Sequence, residues 1–189
     1  MMKTIQKHFK EHEKVLLDTK ILSDSIAEVS IMLVNALKND RAIFWCGNGG
    51  SESDSHHLSG ELIGRFIGNR RPLKSIALHS GGAEGSCISN DFGYDAIFSR
   101  QIDGLANDGD ILVAITTSGN SKNIYNAIKV AKKKNMKIIG LLGKGGGTCL
   151  ELCDLSILIP SKTTARIQEM HIMIGHILCD LIEEGLNLK

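Results

Sequence analysis

Two short loops carry the residue types that hold phosphates. The first is Cys46-Gly47-Asn48-Gly49-Gly50-Ser51 and the second Thr116-Thr117-Ser118-Gly119-Asn120-Ser121. Each follows an apolar run and leads into a stretch with helical spacing. A helix start offers unpaired backbone N–H groups and the positive end of the helix dipole, which together favour an anion. The hydroxyls of the second loop add neutral donors. Neither loop is a P-loop, because no Gly-Lys-Ser/Thr follows, and neither has the Gly-x-Gly-x-x-Gly spacing of a dinucleotide turn. A serine cap after a tight turn accounts for Ser121 alone, but not for the density of hydroxyls around it. A third glycine-rich stretch, Gly143 to Gly147, needs no more than a strand-to-helix turn to explain it and is left unassigned.

Beyond the first loop lie His56, His57 and Glu61. Residues four apart share a helix face, so His57 and Glu61 converge while His56 points elsewhere. Taken alone, such a pair is more often a surface interaction than a metal site. Near the C-terminus, Arg166, Gln168, Glu169, His171 and His176 interrupt a strongly apolar helix. Polar groups on a buried face cost roughly 1–3 kcal/mol each unless paired. Gln168 and His176 are two turns apart and offset by about 80°, so both lie on nearly one side. A satisfied core histidine is the plainer reading of His176.

The elements that position these groups follow from hydrophobic periodicity. Residues 3 to 38 read as helix with a break near Ser23-Asp24-Ser25. Apolar runs at 42–46, 75–78, 111–115, 138–142 and 155–159 read as strands. Helices are expected from Ser51 to about Ile67, in short pieces up to Ala106, from Ser121 to Lys134, and from Thr164 to Gly185. Strands apolar on both faces, alternating with helices, imply a parallel sheet covered on both sides. The expected fold is α/β: a three-layer, doubly wound, flavodoxin-like five-stranded sheet in one domain spanning 1–189. The terminal helix is apolar nearly all round, which predicts burial on more than one face. We therefore expect a homo-oligomer with that helix, and with segment 3–38, in its core.

Composition narrows the class. The net charge of +1 shows no basic excess for nucleic acid, and the short runs Arg70-Arg71 and Lys132-Lys133-Lys134 read as solvated faces. No apolar stretch approaches the roughly 20 residues that span a bilayer, and the charged N-terminus lacks a signal-peptide core. Five cysteines without framework spacing suit reduced thiols in a cytoplasm. Cys149 and Cys153 lack the second pair that a zinc knuckle needs.

Together these residues resemble the SIS (sugar isomerase) family, and most closely its phosphoheptose isomerase branch. The resemblance rests on CGNGGS at 46–51, His57 with Glu61-Leu62-Ile63-Gly64-Arg65, Asn90-Asp91-Phe92-Gly93, the Thr116–Ser121 loop, and Arg166-Ile167-Gln168-Glu169 followed by His176. It implies isomerisation of sedoheptulose 7-phosphate to an aldoheptose 7-phosphate for bacterial surface polysaccharide, by a tetramer with one zinc per active site. The zinc ligands it implies are His57, Glu61, Gln168 and His176. Substrate contacts would come from Asn48, Gly49, Gly50, Ser51, Arg65, Asn90, Asp91, Thr116, Thr117, Ser118, Ser121 and Gln168. Ala165 stands where some relatives carry a substrate-binding aspartate, which puts the sugar preference in question.

Moving a carbonyl from C2 to C1 requires a proton to leave one carbon and return to the other, work suited to a carboxylate and an imidazole. Glu61 is assigned as general base and His176 as general acid, with an enediol between them. Gln168 and His176 are separated by about 12 Å of helix rise, and helical side chains lean the same way. One ion therefore cannot take both from one helix, and the site is expected to draw on more than one chain. The rival readings are a non-catalytic sugar-phosphate sensor or protein-binding tetramer of the same family, and an isomerase of another sugar phosphate. The presence of all four metal-type side chains disfavours the first.

Overall fold

The computed structural model describes residues 1–189. Its centre is a five-stranded, all-parallel sheet: β1 (Ile43–Gly47), β2 (Ser75–Ala77), β3 (Ile111–Thr116), β4 (Lys137–Leu142) and β5 (Leu155–Leu158). The strand order is β2-β1-β3-β4-β5, the flavodoxin-like arrangement whose switch point lies between β1 and β3. Those two strands pair from Ile43↔Ile111 to Gly47↔Ile115, so their C-terminal ends, and the two phosphate-type loops, lie side by side.

Seven α-helices complete the chain: α1 (Met2–Thr19), α2 (Ser23–Lys38), α3 (Gly50–Ile63), α4 (Gly82–Phe92), α5 (Ile97–Leu105), α6 (Lys122–Lys133) and α7 (Thr164–Gly185). Alternate strand residues feed opposite cores. Ile43, Trp45, Val113, Ile115, Ile139 and Leu141 pack with α2, α3 and α7. Phe44, Cys46, Leu112, Ala114, Ile138 and Leu142 pack with α5 and α6. The two helices that carry His57 and His176 therefore share one face of the sheet. Gly175 lets them approach, since a Cβ there would fall 2.5 Å from Leu58 Cδ1.

Four expectations need adjustment. The break in the N-terminal helical segment is a 3₁₀ turn at Lys20–Leu22, just ahead of the serines. Helix α3 stops at Ile63 rather than near Ile67, because the chain from Gly64 turns to wrap a buried carboxylate of α7. That carboxylate also takes Arg70 out of solvent: its side chain is 1% exposed. Much of the burial expected of α7 is supplied within the chain by α1, α2 and α3, leaving Ile177 exposed. No helix is long and apolar enough to cross a membrane, and all five cysteines are free thiols.

Another polar side chain sits deep in α7. His171 is fully buried, with Nε2–H directed at the Leu142 carbonyl (3.3 Å) and Nδ1 unpartnered. Burial pushes its pKa down to about 4, against a smaller opposing pull from the Leu142 carbonyl. The folded state thus refuses a proton that the unfolded chain accepts below its ordinary value of 6.5, so stability falls as pH drops from about 6.5 towards 4. His171→Leu is expected to remove about 2 kcal/mol of the stability lost between pH 7 and pH 5. Urea unfolding of both proteins at the two pH values measures it; equal losses would exclude His171 as the cause.

Candidate active site

The α3 and α7 helices run in the same direction along their seam, and their side chains meet at two levels. At the lower level, His57 Nε2 lies 3.1 Å from Glu61 Oε1 and 3.4 Å from His176 Nε2. The two imidazoles meet edge-on, with ring centroids 4.9 Å apart. All three donor atoms lie within 4.8 Å of one another. Only one proton fits between two facing Nε2 atoms, so this grouping is built to share a proton or to surround a cation.

Two imidazoles and a carboxylate on one point form the ligand set of a three-ligand zinc-type site, so the residues fit a divalent metal. Asp54, one turn earlier on α3, adds a buried Oδ2 without a partner. Burial raises the Asp54 carboxyl while the nearby His57 pulls it the other way. A cation is a natural complement of the three donors of His57, Glu61 and His176.

Gln168 is not with these three. It lies about 12 Å of helix rise away, at the upper level of the seam, where its amide packs on Gly50. A Cβ on Gly50 would fall 2.6 Å from Gln168 Nε2. Gln168 thus stands beside the first phosphate-type loop of its own chain, and one chain assembles three of the four metal-type residues. His56 turns away from them, 4.0 Å from Glu52.

The upper level holds the two loops. Ser51 is buried at the first turn of α3, and Gly49 adopts φ +57° ahead of it. In the second loop, Thr116 Oγ1 accepts from the Gly119 N–H (3.2 Å) and lies 3.3 Å from Ser121 Oγ and 3.4 Å from Ser118 Oγ. As an ordinary cap, Ser121 would bond the first turn of α6, but its side chain makes no capping bond. Its hydroxyl faces the cluster instead. Gly119 is required here: its φ is +66°, and a Cβ would lie 1.9 Å from the Gly146 carbonyl. The third glycine-rich stretch is therefore the backing of the second loop, tied to it through Thr148 N–H to Asn120 Oδ1 (3.0 Å).

Other expected contacts are placed less centrally. Asn48 is committed to the protein: its amide pairs reciprocally with Asn123 (2.9 and 2.8 Å), and Tyr94 Oη–H donates to it (3.1 Å). Neither Asn123 nor Tyr94 carries a local sequence signal for this lock between the loops. Asn90 and Asp91 lie exposed on α4, joined by a 2.7 Å hydrogen bond, and Arg65 is exposed just past the end of α3. Thr117 is half-buried between Thr116 and Ser118.

This constellation has known counterparts. The SIS domain family model matches residues 7–143. The chain is 49% identical over 186 residues to a phosphoheptose isomerase of a Nitratiruptor species, covering 98% of this chain and 100% of the relative. It is 45% identical over 185 residues to a phosphoheptose isomerase of Campylobacter jejuni subsp. jejuni, again over 98% of this chain and 100% of that one. The solved phosphoheptose isomerase of Francisella tularensis superposes with a TM-score of 0.94 at 35% identity, over 97% of this chain and 98% of that one. By loop, seam and full-length similarity alike, the chain belongs to the SIS-domain family and, within it, to the phosphoheptose isomerases.

Proposed function

We propose that this chain isomerises sedoheptulose 7-phosphate to D-glycero-D-manno-heptose 7-phosphate for bacterial surface heptose synthesis. The observation that carries the reading is the convergence of Glu61, His57 and His176 below a hydroxyl-lined loop, in a chain similar end to end to phosphoheptose isomerases. The phosphate would sit at the α3 and α6 N-termini, held by Ser51, Thr116, Thr117, Ser118 and Ser121. Asn90, Asp91 and Arg65 would close on the sugar.

Glu61 takes the proton from C1 and returns it at C2. Its Oε1 faces His57, which leaves Oε2 for the substrate. His176 protonates the oxygen at C2 and accepts the proton leaving the oxygen at C1, so the enediol forms and collapses with no net proton gained or lost. A zinc ion held in the resting site by His57, Glu61 and His176, with Gln168 from a neighbouring chain, would polarise the carbonyl and stabilise negative charge on the oxygens, and Glu61 or His176 would have to leave it before moving a proton. Removing metal with a chelator is expected to lower kcat about 100-fold or more, restored by added zinc. Equal turnover by stripped and zinc-loaded protein would take the metal out of the reaction.

The separation of Gln168 from His176 within one chain supports a shared site in a homotetramer, with α7 and the N-terminal helices of a single 1–189 SIS domain in its core. Free thiols support a cytoplasmic setting. The deciding experiment is incubation with sedoheptulose 7-phosphate and NMR of the product. Aldoheptose 7-phosphate is expected; no turnover by folded, zinc-loaded protein would overturn the reading in favour of another sugar phosphate, for which Ala165 is the first position to examine.

A further inference from the structure

Arg70 and Glu183 form an ion pair with no role in proton transfer, yet both side chains are almost wholly buried, at 1% and 0% exposure. Replacing such a pair by apolar residues is often neutral or stabilising, so stability alone is a weak reason for it. Its geometry gives a better one. The Glu183 carboxylate accepts the backbone N–H groups of Phe66 (3.0 Å), Ile67 (3.0 Å) and Gly68 (2.8 Å), and Arg70 Nε–H (2.8 Å). Arg70 then donates from Nη2 to the Glu61 carbonyl (2.8 Å) and from Nη1 to the Leu62 carbonyl (2.7 Å). These carbonyls belong to the last turn of α3, which the helix leaves without internal partners. Burial opposes the charge on Glu183, but the three N–H donors and Arg70 outweigh it and hold the carboxyl down at about 2. The pair is therefore ionised throughout the neutral range.

The strut ends on both sides of the proposed chemistry. On α3 it grips the backbone of Glu61 itself. On α7, Glu183 lies seven residues after His176, on the same helix face. The segment it anchors carries Phe66, whose ring stacks on the His176 imidazole at 5.6 Å between centroids and 23° between planes.

We propose that Arg70 and Glu183 are positioning residues: they fix the backbone of Glu61 and, by holding Phe66 against it, the ring of His176. The proposal rests on the reading that these two side chains do the chemistry. Outer partners of this kind are worth about 10–100-fold in metal affinity or activity when removed.

The test uses the intact oligomer and three variants, Glu183→Gln, Phe66→Leu and Phe66→Tyr. Glu183→Gln and Phe66→Leu are expected to lower kcat about 10-fold or more, with KM within about two-fold because the phosphate loops are untouched. Zinc affinity, measured by chelator competition, falls in parallel, and Phe66→Tyr restores both. NMR of ¹³C-labelled histidine supplies a readout independent of turnover: the ring-current shift of His176 is lost in Phe66→Leu, kept in Phe66→Tyr and reduced in Glu183→Gln. Should Glu183→Gln fail to fold, the two Phe66 variants decide. Wild-type kcat and zinc affinity in Phe66→Leu would overturn the proposal, as would an unmoved His176 signal in folded Glu183→Gln. An inactive wild type would instead overturn the functional reading, leaving the NMR result to judge the strut.

Discussion

Replacing Glu61 by glutamine is expected to lower kcat on sedoheptulose 7-phosphate by about 10²–10⁴-fold, the span that general acid–base groups contribute. The substitution conserves shape and hydrogen bonding. The amide still reaches His57, 3.1 Å away in the native protein, and the grip of Arg70 on the residue 61 carbonyl does not depend on the side chain. With zinc kept saturating, so that the weaker amide ligand does not empty the site, what is lost is the ability to accept a proton at neutral pH. The thermal midpoint and assembly should therefore stay near wild type, and KM should change little, because the phosphate is held one helix start away. Turnover within about 10-fold of wild type would remove Glu61 from the role of base.

His176→Gln is expected to fall in the same range, and the double variant no further than the more damaging single one, since groups that act as a unit are not additive. A double variant with the product of the two losses would indicate that the residues act in separate steps.

The fold was legible because its signals are local and repeated. Five apolar runs and their intervening helices give the parallel sheet, and β1 and β3 must be neighbours for their loops to meet, as the register Gly47↔Ile115 shows. The pairing of His57 with Glu61 was equally local, a matter of four residues on one helix. What the pattern hid lies far apart in the chain. Arg70 reads as one of two adjacent surface arginines, and nothing near it announces Glu183, 113 positions away. The same blindness extended α3 too far, because the chain leaves the helix at Gly64 to reach that carboxylate. Asn48 shows the converse case. Its place in a glycine-rich loop suggests a ligand contact, while Asn123, 75 positions on, occupies its amide.

Co-expressing two inactive variants is expected to restore activity, which follows from where Gln168 lies. Within one chain, Gln168 packs against Gly50 while His57, Glu61 and His176 gather near the end of α3. About 12 Å of helix rise separates the two levels. If the fourth metal ligand is the neighbour's Gln168, then Gln168→Ala and His176→Gln each disable every site in their own homo-oligomer. Co-expressed, they form sites that take His176 from one chain and Gln168 from the other. Random mixing leaves about a quarter of the sites intact, so kcat per chain should rise from near background to about a quarter of wild type. Mixing the two purified homo-oligomers without exchange of subunits should give no recovery. Absence of recovery after co-expression, with mixed oligomers verified by differential tags, would mean that each chain's site uses only its own residues. Gln168 would then serve the phosphate loop beside Gly50 rather than the metal, and the three-residue cluster of a single chain would be the whole protein contribution to the ion.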